Sequence, residues 1–142
     1  MTDLPPLASF PARAFDKLRY GDTDRQGHVN NAVFATFFET GRVEMILGEN
    51  ALAEPGQSFV LARIEIDLLA EILWPGTVEI GSRVTRIGRS SIGIEQVLFQ
   101  NERPCARATS VVVLVDDATR RSTPFSAAAL ARLEALRPAE GA

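Results

Sequence analysis

The sequence predicts an α+β fold in which one long helix packs on an antiparallel sheet. Three observations carry this. Residues Val29 to Leu47 form a long, mostly apolar segment without proline. Four later segments alternate apolar and polar residues at the strand period of two. The turns between them are short, which suits hairpins better than crossovers. A helix followed by a run of hairpins is an α+β order.

Residues Met1 to Ala14 are rich in proline and read as a loose arm. Phe15 to Tyr20 is short and roughly alternating, and is read as a strand; Gly21 to Gly27 is a loop. The helix is expected from Val29 or Asn30 to about Leu47, with Asn30 as its N-cap. Phe34, Phe38, Gly41 and Met45 share one face at helical spacing, and Val33 and Phe37 widen it. An apolar surface that wide belongs to a central helix. Gly41 costs about 1 kcal/mol relative to Ala inside a helix, which a close approach to another backbone would offset. Glu39, flanked by Phe37 and Phe38, is placed near buried surface.

After a loop from Asn50 to Ser58, the segment Phe59 to Leu69 sets Val60, Ala62, Ile64, Ile66 and Leu68 against Arg63, Glu65 and Asp67. Trp74-Pro75-Gly76 is a turn. Strands follow at Thr77 to Ile87, Ser91 to Phe99 and Cys105 to Val115, linked by the turns Gly88-Arg89-Ser90 and Asn101 to Pro104. Beyond the turn Asp116 to Arg120, Thr123-Pro124 opens a short helix to about Leu136, with Leu130 and Leu133 facing inward. With 142 residues and no repeat, a single domain spanning 1–142 is expected.

Composition narrows the function classes. Hydrophobic residues make up 46% and charged residues 23%, which excludes a disordered chain. The formal net charge of -3 supplies no bulk attraction for nucleic acid or an anionic membrane, so neither is an expected partner. An anionic ligand must then be held by a local basic group. The lone Cys105 permits no intrachain disulfide and suits a reducing compartment. Met1 to Pro11 lacks the basic and apolar regions of a signal peptide, and no apolar run approaches the ~20 residues of a membrane span. A soluble cytoplasmic protein is the expectation.

The absences narrow the chemistry further. One histidine, His28, and no Cys/His cluster leave no zinc pattern, so no metal is expected. No P-loop or dinucleotide fingerprint is present, and no cofactor is expected. Gly88 to Ile92 lacks the final glycine of a nucleophile elbow and lies between hairpin strands, so Ser90 reads as a turn residue rather than a nucleophile. Cys105 has no evident base partner and reads as a core thiol. What remains is Asp22, Asp24, His28, Asn30, Asn31 and Glu39. A carboxylate held near an electrophile serves as general base or nucleophile. Backbone N–H groups at a helix start stabilise a developing oxyanion. Asp24 and the Gly27-to-Val29 backbone offer both, although an Asp before a helix is more often a turn or cap residue.

Tyr20-Gly21-Asp22-Thr23-Asp24, then Gly27-His28-Val29-Asn30-Asn31, then Phe37-Phe38-Glu39 with Arg42, closely resembles the signature of the hot dog fold acyl-CoA thioesterases of the 4-hydroxybenzoyl-CoA thioesterase type. The resemblance continues through Ala62 to Asp67, Trp74-Pro75-Gly76 and Val84 to Ser91, and covers roughly Phe15 to Pro124. It implies a long central helix wrapped by a curved antiparallel sheet of about five strands, with the small helix at the C-terminus. It also implies a homodimer, which can pair further into a homotetramer. The second Asp of the motif is catalytic in the family, a role that falls on Asp24 rather than Asp22. Oxyanion stabilisation and substrate binding fall on Gly27, His28, Val29 and Asn31, and contact with the coenzyme A phosphates falls on Arg89 and Ser90. Phe34 stands where many relatives have Tyr, and Gly41 where Ala is usual. The implied reaction is hydrolysis of an acyl-CoA to a free acid and coenzyme A. The alternatives are an acyl carrier protein thioesterase, a non-catalytic acyl-binding hot dog protein and, less well matched, a dehydratase.

Overall fold

The structure, a computed structural model, describes residues 4–48 and 51–138. The first three residues of the expected arm and Asn50 of the expected loop lie outside the described residues. Five strands form one antiparallel sheet: β1 (Ala12–Lys17), β2 (Gln57–Leu68), β3 (Thr77–Ile87), β4 (Ser91–Gln100) and β5 (Arg103–Asp116). The order across the sheet is β1-β3-β4-β5-β2, so β1 and β2 are its edges. Helix α1 (Asn31–Leu47) lies across β1, β3 and β4; α2 (Ala127–Ala135) closes the far end. No described helix is long and apolar enough to cross a membrane.

α1 starts where its sequence dictates. Asn30 has extended backbone and its side chain accepts the Ala32 N–H at 3.0 Å, filling one of the donors that a helix start leaves open. Phe34, Phe37, Phe38, Gly41, Arg42 and Ile46 are buried, while Met45 is only half-buried and Glu39 is exposed. A close approach is present at Gly41, but to side chains of β3 and β4 rather than to the backbone expected. A Cβ there would sit 2.6 Å from Ile80 Cγ2 and 3.0 Å from Gln96 Nε2, nearer than side chains pack. The missing methyl lets the helix settle on β3 and β4.

The core has two main parts. Phe34, Phe37 and Phe38 pack on Val78, Ile80 and Leu98 beneath the start of α1. Ile46 packs with Ile94, Val112 and Leu114 at its end, together with Leu133 of α2. Burial of one such side chain contributes about 1.5–3 kcal/mol, so the central strands are firmly clamped.

Four expectations are corrected. β1 begins and ends earlier than Phe15 to Tyr20, because its register with β3 runs from Ala12 opposite Ser82 to Lys17 opposite Thr77. Tyr20–Asp22 forms a 3-10 turn instead. The expected loose arm is tied down through Phe10, which is buried against Val97 and Phe99. In α2 the inward residues are Ala129 and Leu133, four apart, and Leu130 is exposed. The small Ala129 brings the helix close to the sheet, and Leu130 falls on the margin of that contact. The alternation of β2 is present, but none of its residues is buried: Val60 and Leu61 are each 45% exposed. A bulge at Ala62 interrupts its register with β5, and α1 packs mainly on β1, β3 and β4 rather than on this edge.

Candidate active site

The loop before α1 is built around two aspartates of opposite character. Asp22 is buried. Its carboxylate accepts the Arg19 backbone N–H at 2.9 Å and Arg19 Nη2 at 3.0 Å, and its carbonyl accepts Asn30 N–H at 2.8 Å. It therefore fixes where the helix begins. Asp24, two residues on, is exposed. Its Oδ1 accepts the N–H groups of Gln26 at 2.8 Å and His28 at 3.2 Å. Its backbone N–H donates to the His28 carbonyl at 2.8 Å, and its carbonyl accepts Gly27 N–H at 3.1 Å. Gly27 has φ +79°, a left-handed conformation that glycine adopts without penalty. The loop thus curls around one carboxylate oxygen. Among the described residues, Oδ2 has no hydrogen-bond partner.

Asp24, His28, Asn31, Phe34, Leu69 and Glu71 line an open cleft of about 430 Å³. Val29 forms part of its floor, and its N–H donates to the Ile72 carbonyl at 2.8 Å. The structure therefore brings together Asp24, His28, Val29 and Asn31 from the predicted site. Gly27 shapes the loop without lining the cleft. The N–H groups of Gly27, His28 and Val29 are all engaged within the chain. Among the described residues, the open donor at the helix start is the N–H of Asn31, the first residue of α1. Sequence reading assigned the oxyanion donors by position alone and had no means of seeing which were already used.

Glu71 was missed. Its Oε2 lies 3.0 Å from His28 Nε2. The two are 43 positions apart, and only the fold joins them. Glu71 sits in the irregular connection after β2, where no motif marks it.

Arg89 and Ser90 are not brought to this cleft. They form the β3–β4 turn beside α2, where the Arg89 carbonyl accepts Phe125 N–H at 3.1 Å and the Ser90 carbonyl accepts Leu114 N–H at 2.7 Å. β4 starts next to this turn and ends near the cleft, where Gln100 bonds Leu73. At about 3.3 Å per residue, its ten residues separate the two places by roughly 30 Å. Arg120 and Arg121, in the turn after β5, lie at the Arg89 end. Cys105 is buried in the core as expected, and burial pushes its thiol above the ordinary range. Among the described residues, no cluster of three His, Cys, Asp or Glu side chains could hold a metal ion.

The curved sheet around a long helix, with a carboxylate loop at the helix start, is the hot dog architecture of thioesterases. Residues 18–133 match the family model described as the Thioesterase-like superfamily, and the chain belongs to that family. It is 30% identical over 113 residues to an acyl-CoA thioesterase, YbgC, of Haemophilus influenzae, covering 76% of this chain and 80% of the relative. It is 27% identical over 110 residues to a chloroplastic acyl-acyl carrier protein thioesterase, ATL2, of Arabidopsis thaliana, covering 73% of this chain and 58% of that one. Among solved structures, a Thermus thermophilus thioesterase complexed with coenzyme A and Zn superposes with a TM-score of 0.78 at 33% identity, covering 90% of this chain and 95% of that one.

Proposed function

We propose that this chain is an acyl-CoA thioesterase of the 4-hydroxybenzoyl-CoA thioesterase type, hydrolysing an acyl-CoA to a free carboxylic acid and coenzyme A. The observation that carries this reading is Asp24: an exposed carboxylate, oriented by two backbone N–H groups on one oxygen and open on the other, in a cleft at a helix start. A thioester carbonyl is less stabilised by resonance than an ester, so one carboxylate with an oxyanion donor suffices. Asp24 either attacks the carbonyl carbon, giving a mixed anhydride, or activates water. The Asn31 N–H, aligned with the α1 dipole, stabilises the oxyanion. Gly27 and Val29 hold the loop and floor in shape, and His28 borders the thioester.

Arg89 and Ser90 bind the coenzyme A phosphates from the far end of the sheet. Since roughly 30 Å separates that end from Asp24 within one chain, one coenzyme A is shared by two protomers. The uncovered edge strand β2, with Val60, Leu61 and Leu68 exposed, is the surface through which they pair. Free-thiol release from a panel of aliphatic and aromatic acyl-CoAs tests the reading. Turnover of at least one acyl-CoA is expected; no thiol release from any would overturn it. The likeness to a relative named for acyl carrier protein substrates favours one second reading. The same assay with acyl carrier protein thioesters distinguishes it, since faster turnover there would move the carrier from coenzyme A to protein.

A further inference from the structure

The connection between β2 and β3 is irregular, yet its backbone is tied down along its length. The N–H groups of Leu69 and Ala70 both donate to the Cys105 carbonyl, at 2.9 and 3.0 Å. The Glu71 carbonyl accepts Arg103 Nη2 at 2.8 Å, and the Ile72 carbonyl accepts Val29 N–H at 2.8 Å. The Leu73 N–H and carbonyl both bond the side-chain amide of Gln100, at 3.2 and 2.8 Å. Ile72 is fully buried. Glu71 therefore starts from a fixed backbone, although its own side chain is half exposed. His28 is held by its bridge to Leu73, so both ends of the 3.0 Å contact between Glu71 Oε2 and His28 Nε2 are anchored.

An ionised carboxylate only accepts hydrogen bonds. Its place beside Nε2 puts the proton of a neutral imidazole on that nitrogen and leaves a lone pair on Nδ1. Among the described residues, Nδ1 has no hydrogen-bond partner. The charged groups around the ring are Asp24 from the loop, Glu71 from the β2–β3 connection, and Arg103 of β5 behind Glu71. His28 thus lines the same cleft as Asp24 and carries an unused proton acceptor.

We propose that Glu71 is a positioning residue that fixes His28 in its Nε2–H tautomer, and that His28 Nδ1 accepts the proton of the hydrolytic water. This rests on the acyl-CoA hydrolase reading and adds a second working group to it. In the step, a proton passes from water to Nδ1 as the water oxygen bonds to the acyl carbon. The bond from that carbon to its leaving atom breaks, and the electron pair leaves with that atom. The step is the hydrolysis of the mixed anhydride formed when Asp24 attacks and the coenzyme A thiolate departs, so the leaving atom is the Asp24 oxygen. The imidazolium then returns its proton to the leaving group or to solvent.

The chain has a single histidine, so untagged protein gives one set of imidazole signals. Long-range proton–nitrogen NMR on wild type, Glu71→Gln and Glu71→Asp, paired with acyl-CoA kinetics, tests the proposal. In wild type the Nε2–H tautomer is expected to dominate. Glu71→Gln, whose amide can donate as well as accept, is expected to mix the tautomers. It should also lower kcat by about tenfold, below the 10²–10⁴ of a whole general base, with KM within about twofold. Glu71→Asp should recover part of both. An unchanged tautomer ratio in Glu71→Gln, or a loss of activity without a tautomer change, would overturn the positioning role while wild-type turnover keeps the hydrolase reading. Wild-type protein inactive on every acyl-CoA would remove that reading and the base role with it.

Discussion

The two ends of β4 gather different side chains. At the Gln100 end, a loop, a helix start and an irregular connection surround an open cleft with Asp24, His28 and Glu71. At the Ser91 end, a tight turn beside α2 presents Arg89, with Arg120 and Arg121 in the neighbouring turn. Among the described residues, the first end sets the carboxylates of Asp24 and Glu71 on the cleft with no arginine lining it, and the second end gathers arginines. The difference teaches that the residues expected to touch coenzyme A, Arg89 and Ser90, lie a full strand length from the cleft that holds Asp24. The shared site proposed above follows from this separation, since it requires an assembly that apposes the ends of two chains.

The largest expected effect lies at the cleft end. Asp24→Asn removes basicity and nucleophilicity while keeping the shape of the loop, and kcat/KM should fall more than tenfold, a loss above ~1.4 kcal/mol of transition-state stabilisation. Retention of over a tenth of wild-type kcat/KM would assign the chemistry elsewhere. Asp22→Asn sharpens the contrast within the same loop. The buried Asp22 gives its hydrogen bonds to structure, so this change should lower folding stability by about 1–3 kcal/mol and affect the chemistry less than Asp24→Asn. Denaturant unfolding alongside the kinetics measures both. A greater loss of activity from Asp22 than from Asp24 would reverse their roles.

The smallest effect belongs to the far end. If Arg89 holds the coenzyme A phosphates as proposed, Arg89→Ala removes a contact remote from the reacting carbon, which contributes equally to ground and transition states. KM for acyl-CoA should rise several-fold and kcat stay largely unchanged. Steady-state kinetics would contradict this if KM did not move, which would leave Arg89 a solvated turn residue.

Much of the fold and of the cleft end was legible in the sequence, because both rest on local signals, whereas the distance of Arg89 and Ser90 from the cleft was not. The helix over Asn31–Leu47 follows from an unbroken apolar segment with an Asn cap, and β3 from its period of two. The close packing at Gly41 follows from a glycine inside a helix. The loop motif set Asp24 beside His28 and Asn31. What stayed hidden depends on distant pairing. Glu71 reaches His28 only through the fold, and the engaged N–H groups of Gly27 and Val29 depend on bonds to Asp24 and Ile72. The alternation of β2 correctly marks a strand, but alternation does not reveal that the strand is a sheet edge with none of its residues buried. Leu130 went astray because two leucines three apart fit an inward stripe as well as the Ala129–Leu133 pair that is buried.

The shared site is tested most directly by light scattering on the purified protein at micromolar concentration, with acyl-CoA hydrolysis measured on the same sample. A shared site predicts a homodimer, or two paired as a tetramer, hence a mass of at least twice the 15.4 kDa of one chain. Its interface would be isologous, with two equivalent sites. A monomer with full activity would contradict the shared site and the placement of coenzyme A across two chains.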